Sequence, residues 1–303
     1  MDQVELEGYL GKQRLTEMDR YGRSKAYDRL SQILPEQKRR IFELVNHGLA
    51  LVDDMLDTST RPLARLDSIV SIFSRSYSGE EVDVSTTEEQ TIRDIGYALH
   101  DLGPTPFIHF RNRLVGERVG DEVIKYWNAE KEYFQRQWKI LGRMELDKQA
   151  REIGGSVASQ FLLILDSGMD WFERQQLARG YGQAVKLADN LCDFEEDARR
   201  GFVNVPLEDM RHVQGIEIDG NQVVSIDPDR LSLSPEYVQG EFARIQQLFE
   251  LTDSIFYRTW LKCFLFGKSK KILPQFRNIA YSWFAQAKEF SGQNPFPPLS
   301  QTG

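Results

Sequence analysis

From Glu36 to Asp57 the apolar residues Ile41, Leu44, Val45, Leu49, Val52, Met55 and Leu56 return at steps of three and four. That spacing lines one face of an α-helix, and it recurs along most of the chain, which points to an all-α fold built from buried helix faces. Pro35 suits the first turn of this helix, and Thr58, Ser59 and Pro62 mark its end. A polar loop is expected over 76–88, then a helix over 88–101 stopped by Gly103-Pro104. Residues 107–142 carry Phe110, Tyr126, Trp127, Tyr133, Phe134 and Trp138 and read as one or two helices packed through their aromatics. Further helices are expected over 153–165, starting near Gly154-Gly155, and over 174–199, 235–266 and 272–290. Residues 216–227 alternate about Asp219-Gly220-Asn221, a hairpin signature, and read as a small surface insertion between helices. The Pro- and Gly-rich stretch 291–303 reads as an irregular tail.

Two short segments interrupt this apolar pattern with acid. In Leu51-Val52-Asp53-Asp54-Met55-Leu56-Asp57, Asp53 and Asp57 share a helix face and Asp54 lies beside Asp57. In the second segment Asp189, Asp193 and Asp197 are spaced four and four, with Glu196 flanking them. Asp189 and Asp193 fall among Val185, Leu187, Ala188, Leu191 and Phe194, so the acids mark a polar patch on an otherwise apolar helix. Adjacent carboxylates on a helix repel by a few tenths of a kcal/mol per pair, a cost that a cation removes. Mg²⁺ is such a cation, since it bridges protein carboxylates to phosphate oxygens while keeping several waters. Either motif alone is compatible with a solvated acidic face.

The net charge of −8 argues against a nucleic-acid partner, which calls for a basic surface, and means that an anionic substrate needs metal or a local cluster of cations. Cys192 and Cys263 form no CxxC or Cys/His cluster, so they read as reduced, partly buried thiols. His47, His100, His109 and His212 show no metal spacing. The start of the chain is acidic and has no apolar signal core, and no run of 18 apolar residues is present, so a cytoplasmic protein without a transmembrane segment is expected. Peripheral membrane contact is compatible with a greasy substrate.

The run from Ala178 to Pro206 resembles the second signature of squalene and phytoene synthases, roughly ARxxGxxxQxxNxxRDxxEDxxxGRxYxP, through Ala178, Arg179, Gly182, Asp193, Glu196, Asp197, Gly201 and Pro206. Leu34-Pro35 followed by the 53–57 acids resembles the family's first motif, Arg23-Ser24-Lys25 its short phosphate-binding segment, and Gly155-Ser156-Val157 its small-residue stretch along the prenyl tunnel. The resemblance implies a single isoprenoid-synthase-type helical domain over residues 1–290 around a central apolar cavity. It implies a transferase that ionises prenyl diphosphates of the farnesyl or geranylgeranyl class with Mg²⁺ and joins two of them head to head. Some family members then use NADPH, for which no motif is present here. The implied metal ligands are Asp53, Asp54, Asp57, Asp189, Asp193 and Asp197, with Asp53, Asp57, Asp189 and Asp193 carrying the ionisation. Arg23, Ser24, Lys25, Arg179 and Tyr281 are expected to bind substrate, and Lys186 joins them as an added cation.

The sequence departs from that pattern at Ala50, where a basic residue is usual. It departs again at Lys186 and Asp189 in place of Gln and Asn, at Cys192 in place of Arg, and at Glu195 in place of Gly. A terpene cyclase of the same fold and a non-enzymatic relative acting in lipid binding or assembly therefore stand as alternatives.

Overall fold

Pro35 stands just outside helix α1 (Glu36–Asp57), and its carbonyl accepts the amide of Arg39 at 2.9 Å, so the ring closes the helix end without removing a helical donor. The computed structural model describes residues 30–57, 59–102, 105–108, 114–117, 119–165, 169–265 and 272–290. Helix α2 (Pro62–Tyr77) has Pro62 in its own first turn, so this proline opens a helix as well as following one. Helix α3 (Thr87–Leu102) follows the polar loop.

The stretch expected to be helical from residue 107 departs from that reading. Strands β1 (Thr105–Ile108) and β2 (Leu114–Glu117) pair antiparallel, and helix α4 (Val119–Gln135) begins only after them. Trp138 lies in a turn beyond α4 with φ of 66°, where its amide donates to Gly201. Helix α5 (Arg143–Leu165) starts ten residues before the expected position. Its start is capped by Glu145, whose carboxylate accepts the Gly142 amide at 3.0 Å, half of a capping box. Helix α6 (Trp171–Cys192) starts at Asp170, whose side chain accepts the amide of Glu173 at 2.8 Å. A short helix α7 (Phe194–Arg199) continues from it after a break at Asp193.

A 3₁₀ turn (Leu207–His212) and strands β3 (Val213–Gln214), β4 (Ile216–Asp219), β5 (Gln222–Ile226) and β6 (Ser232–Leu233) come next, with β4 paired to β5 and β3 to β6. Gly220 takes the left-handed turn at φ of 58°, as the hairpin reading requires. The hairpin is more than a surface ornament. Val213, Ile216, Val223 and Ile226 pack on a second small core made by Ile140, Phe194, Ala198, Val203, Val205, Leu231 and Tyr237. It thereby buttresses α7 from below. Helices α8 (Pro235–Leu265) and α9 (Ile272–Phe290) complete the fold.

One contact fixes where α6 lies. A Cβ on Gly154 would sit 2.0 Å from the Gly182 carbonyl oxygen, and a Cβ on Gly182 would sit 2.2 Å from that of Gly154. The backbones of α5 and α6 therefore touch, which only glycine at both positions permits. Leu177, Ala178, Tyr181 and Ala184 are buried along the same helix. The small-residue stretch around Gly155 thus serves helix–helix contact with α6. Among the described residues no helix is long and apolar enough to cross a membrane.

Candidate active site

Helix α4 presents Tyr126, Glu130 and Tyr133 at steps of four and three, a single face turned toward the end of α6. Helix α6 meets it with Lys186 and Asp189, whose ammonium and carboxylate lie 2.8 Å apart. Asp193 ends α6 and starts α7, with φ of −93° and ψ of 8°, so the three aspartates do not lie on one straight helix. The ladder survives the break because the backbone amide of Asp193 donates to the Asp189 carbonyl at 2.9 Å and that of Asp197 to the Asp193 carbonyl at 2.8 Å. Asp53 reaches the same region from α1, close enough for its charge to act on Tyr126.

A buried relay holds the far end. Arg136 donates to Gln149 at 2.8 Å and to Asn204, and Asn204 donates to Asp197 at 2.7 Å. Asn204 stands where the signature carries tyrosine. The Arg136 guanidinium also lies 4.6 Å from the centre of the Tyr133 ring, which stacks on Phe202 at 4.7 Å. Gly201, with φ of 87°, lets the chain turn here, and a Cβ on it would meet the Trp138 ring at 2.8 Å. Glu130, Arg136 and Asn204 were not singled out from sequence. The available signal was Glu130 set between Tyr126 and Tyr133 on an aromatic face.

The electrostatics follow from crowding. Asp193 keeps an exposed surface at the break between α6 and α7, but partial desolvation by the surrounding protein, with repulsion from Asp189 added, outweighs Lys186, so its carboxyl is pushed up to about 7. Burial likewise pushes Glu130 up to about 6 against the pull of Lys186 and a hydrogen bond from Tyr126. Asp197 is raised by burial in the same way. Burial works against the charge of Lys186, but Asp189, Tyr133, Glu130 and Asp197 prevail and hold its ammonium well above the ordinary range. This is a region short of positive charge.

The structure brings Lys186, Asp189, Asp193 and Asp197 together, and Asp53 acts on Tyr126, on which Asp189 also acts. Arg179 is exposed on α6, seven residues before Lys186 and so on the same face. Tyr281 belongs to a different cluster, where its hydroxyl donates to Asp253 at 2.7 Å. Arg23, Ser24 and Lys25 lie outside the described residues, as do the side chains of Asp54 and Asp57. Cys192 is exposed, because it falls on the outer side at the end of α6, and the partly buried thiol expected there is corrected. Among the described residues no three His, Cys, Asp or Glu side chains close around a single point as a metal cage. The donors are nonetheless all hard oxygens, and the raised Asp193 and Asp197 are carboxyls that a cation would return to their charged form, so in chemistry the set fits Mg²⁺.

No family model and no curated protein matches this chain. Solved structures do. It superimposes on the squalene synthase HpnC from Alicyclobacillus acidocaldarius with a TM-score of 0.61 at 18% identity, over 97% of this chain and 98% of that one. The chain has the squalene synthase fold. A dehydrosqualene synthase solved with a bound ligand is similar too, with a TM-score of 0.55 at 13% identity over 98% of this chain and 90% of the other. At these identities the likeness is one of fold, and the chemistry has to be argued from the side chains.

Proposed function

We propose that this protein is a Mg²⁺-dependent prenyltransferase of the squalene/phytoene synthase type, which ionises isoprenyl diphosphates and joins two of them head to head. The reading is supported by the charges of Asp53 from α1 and Asp189 from α6, which both act on Tyr126, and by the crowding of Asp189, Asp193 and Asp197 beside them, within a squalene synthase fold. Asp53 on one side and Asp193 and Asp197 on the other would hold Mg²⁺, with Asp54, Asp57 and Asp189 as the remaining acids of the two motifs. When bound, the metal neutralises the diphosphate and makes it a better leaving group. Asn204 holds the Asp197 carboxylate in place, and Arg136 holds Asn204. Tyr126 and Tyr133 are both buried beside the acids, and the ring of Tyr126 would stabilise an allylic cation.

A second reading, a terpene cyclase of the same fold, is favoured by how the described cations around the ladder are engaged, with Arg200 acting on Asp197. Lys186 is paired with Asp189, and Arg136 is engaged by Gln149, Asn204 and the Val203 carbonyl. Two diphosphates need more positive charge than one. Incubating the purified protein with farnesyl or geranylgeranyl diphosphate and Mg²⁺, with and without NADPH, separates the readings by mass. A product with twice the substrate's carbon count is expected. A product of unchanged carbon count would establish cyclisation instead, and unaltered substrate in every condition would refute both.

A further inference from the structure

Lys186 stands where the carboxylates crowd. Its ammonium donates to Asp189 at 2.8 Å, and both side chains are largely enclosed, with 21% and 23% of their surface exposed. The charges of Glu130 and Asp197 act on it as well, and it lies 5.9 Å from the centre of the Tyr133 ring. It therefore faces acids contributed by α4, α6 and α7 together. Arg136, a buried cation of this region, donates to Gln149 and Asn204, so it feels the charges of Asp197 and Glu130 while its own hydrogen bonds go elsewhere, and Arg200 acts on Asp197. Lys186 donates directly to a ladder acid, Asp189. An ammonium enclosed among several carboxylates offsets their repulsion in the way a bound ion would, and it occupies an oxygen that would otherwise be a ligand.

We propose that Lys186 is a resident cation of the ladder, holding Asp189 and standing in for a divalent ion at its Glu130 end, so that Asp193 and Asp197 are the acids of this motif that take metal. This rests on the metal-dependent reading above and refines it. The second motif binds one ion fewer than its three aspartates suggest.

The test counts ions without substrate. Mn²⁺ is titrated into the full chain, and unbound ion is measured by electron paramagnetic resonance. Lys186→Gln is expected to bind one Mn²⁺ more than the unmodified protein. Equal stoichiometry in the two would overturn the proposal while leaving the metal site itself standing. Since removing a buried cation can unfold the chain, a second pair of variants keeps the question open to test. Asp189→Asn should retain the full number of ions, and Asp193→Asn should lose one. Loss of an ion in Asp189→Asn would make Asp189 a ligand and overturn the proposal. No Mn²⁺ on any of these proteins, even with inorganic pyrophosphate present, would overturn both the proposal and the metal-dependent reading beneath it.

Discussion

Asp253 and Asp193 both sit against helix α6, one beside Tyr181 in its middle and one at its end, and their surroundings treat them in opposite ways. Asp253 accepts both donors of the Arg277 fork and the hydroxyls of Tyr181 and Tyr281, which ties α6, α8 and α9 together. Burial opposes its charge, but the hydrogen bonds from Arg277, Tyr181 and Tyr281 outweigh burial and hold the carboxyl below its ordinary range. Asp193 has acids for neighbours and is pushed up to about 7. The first cluster is complete within the protein and serves the fold. The second is short of positive charge, which is the state expected of a site awaiting a cationic partner.

Substitution should separate them. Asp253→Asn leaves Arg277 without its carboxylate, and with side-chain exposures of 13% and 14% for the pair this should destabilise the protein by about 3 kcal/mol or more. Denaturant unfolding would measure it, with Mn²⁺ binding expected to persist. Asp53→Asn and Asp193→Asn should reverse the pattern. Each is expected to reduce turnover at least about a hundredfold, about 2.7 kcal/mol of barrier, while metal-free Asp193→Asn melts no lower than the unmodified protein. A large loss of stability in Asp193→Asn would erase the contrast. Asn204→Ala should fall between the two clusters in character. It removes a hydrogen bond to a carboxylate, with an expected loss of about 1.5 kcal/mol in stability and a smaller drop in turnover than either aspartate variant.

Acid titration of the metal-free protein sharpens the comparison further. The native Asp193 carboxyl, at about 7, binds its proton more tightly than in the unfolded chain, where its pKa is about 3.9. Its contribution therefore favours folding at low pH and is lost as pH rises toward 7, and Glu130, at about 6, acts with the same sign. Asp253 is depressed, so its contribution is present above about pH 3.9 and is lost as pH falls through its lower native value. The melting temperature should rise from pH 7 to pH 5 and fall below about pH 4. Asp193→Asn should flatten the first limb and Asp253→Asn the second.

Helices with one clean apolar stripe were legible in the sequence, and α1 and α9 have the bounds that periodicity predicts. The starts of α5 and α6 were harder, because Glu145 and Asp170 set them through capping in polar sequence before the apolar run begins. The β1–β2 hairpin was missed because its aromatic and apolar residues suit either period. At the site, the aspartates announced themselves by interrupting an apolar face. Asn204 and Arg136 did not, since their role depends on a turn at Gly201 that brings residue 204 back against α4. The commitment of Lys186 to Asp189 is an i, i+3 contact visible in the spacing, but the approach of Glu130 from another helix is not.

The central claim is that the acids of α1, α6 and α7 form one site shared by metal and diphosphate. If so, Mg²⁺ and a non-hydrolysable prenyl diphosphate analogue must each strengthen the binding of the other, because each screens the other's charge. Thermal shift measured with Mg²⁺ alone, with the analogue alone and with both tests this directly. The account predicts a rise with both that exceeds the sum of the two, and loss of that excess in Asp193→Asn. Simple additivity, or no shift in any condition, would contradict it.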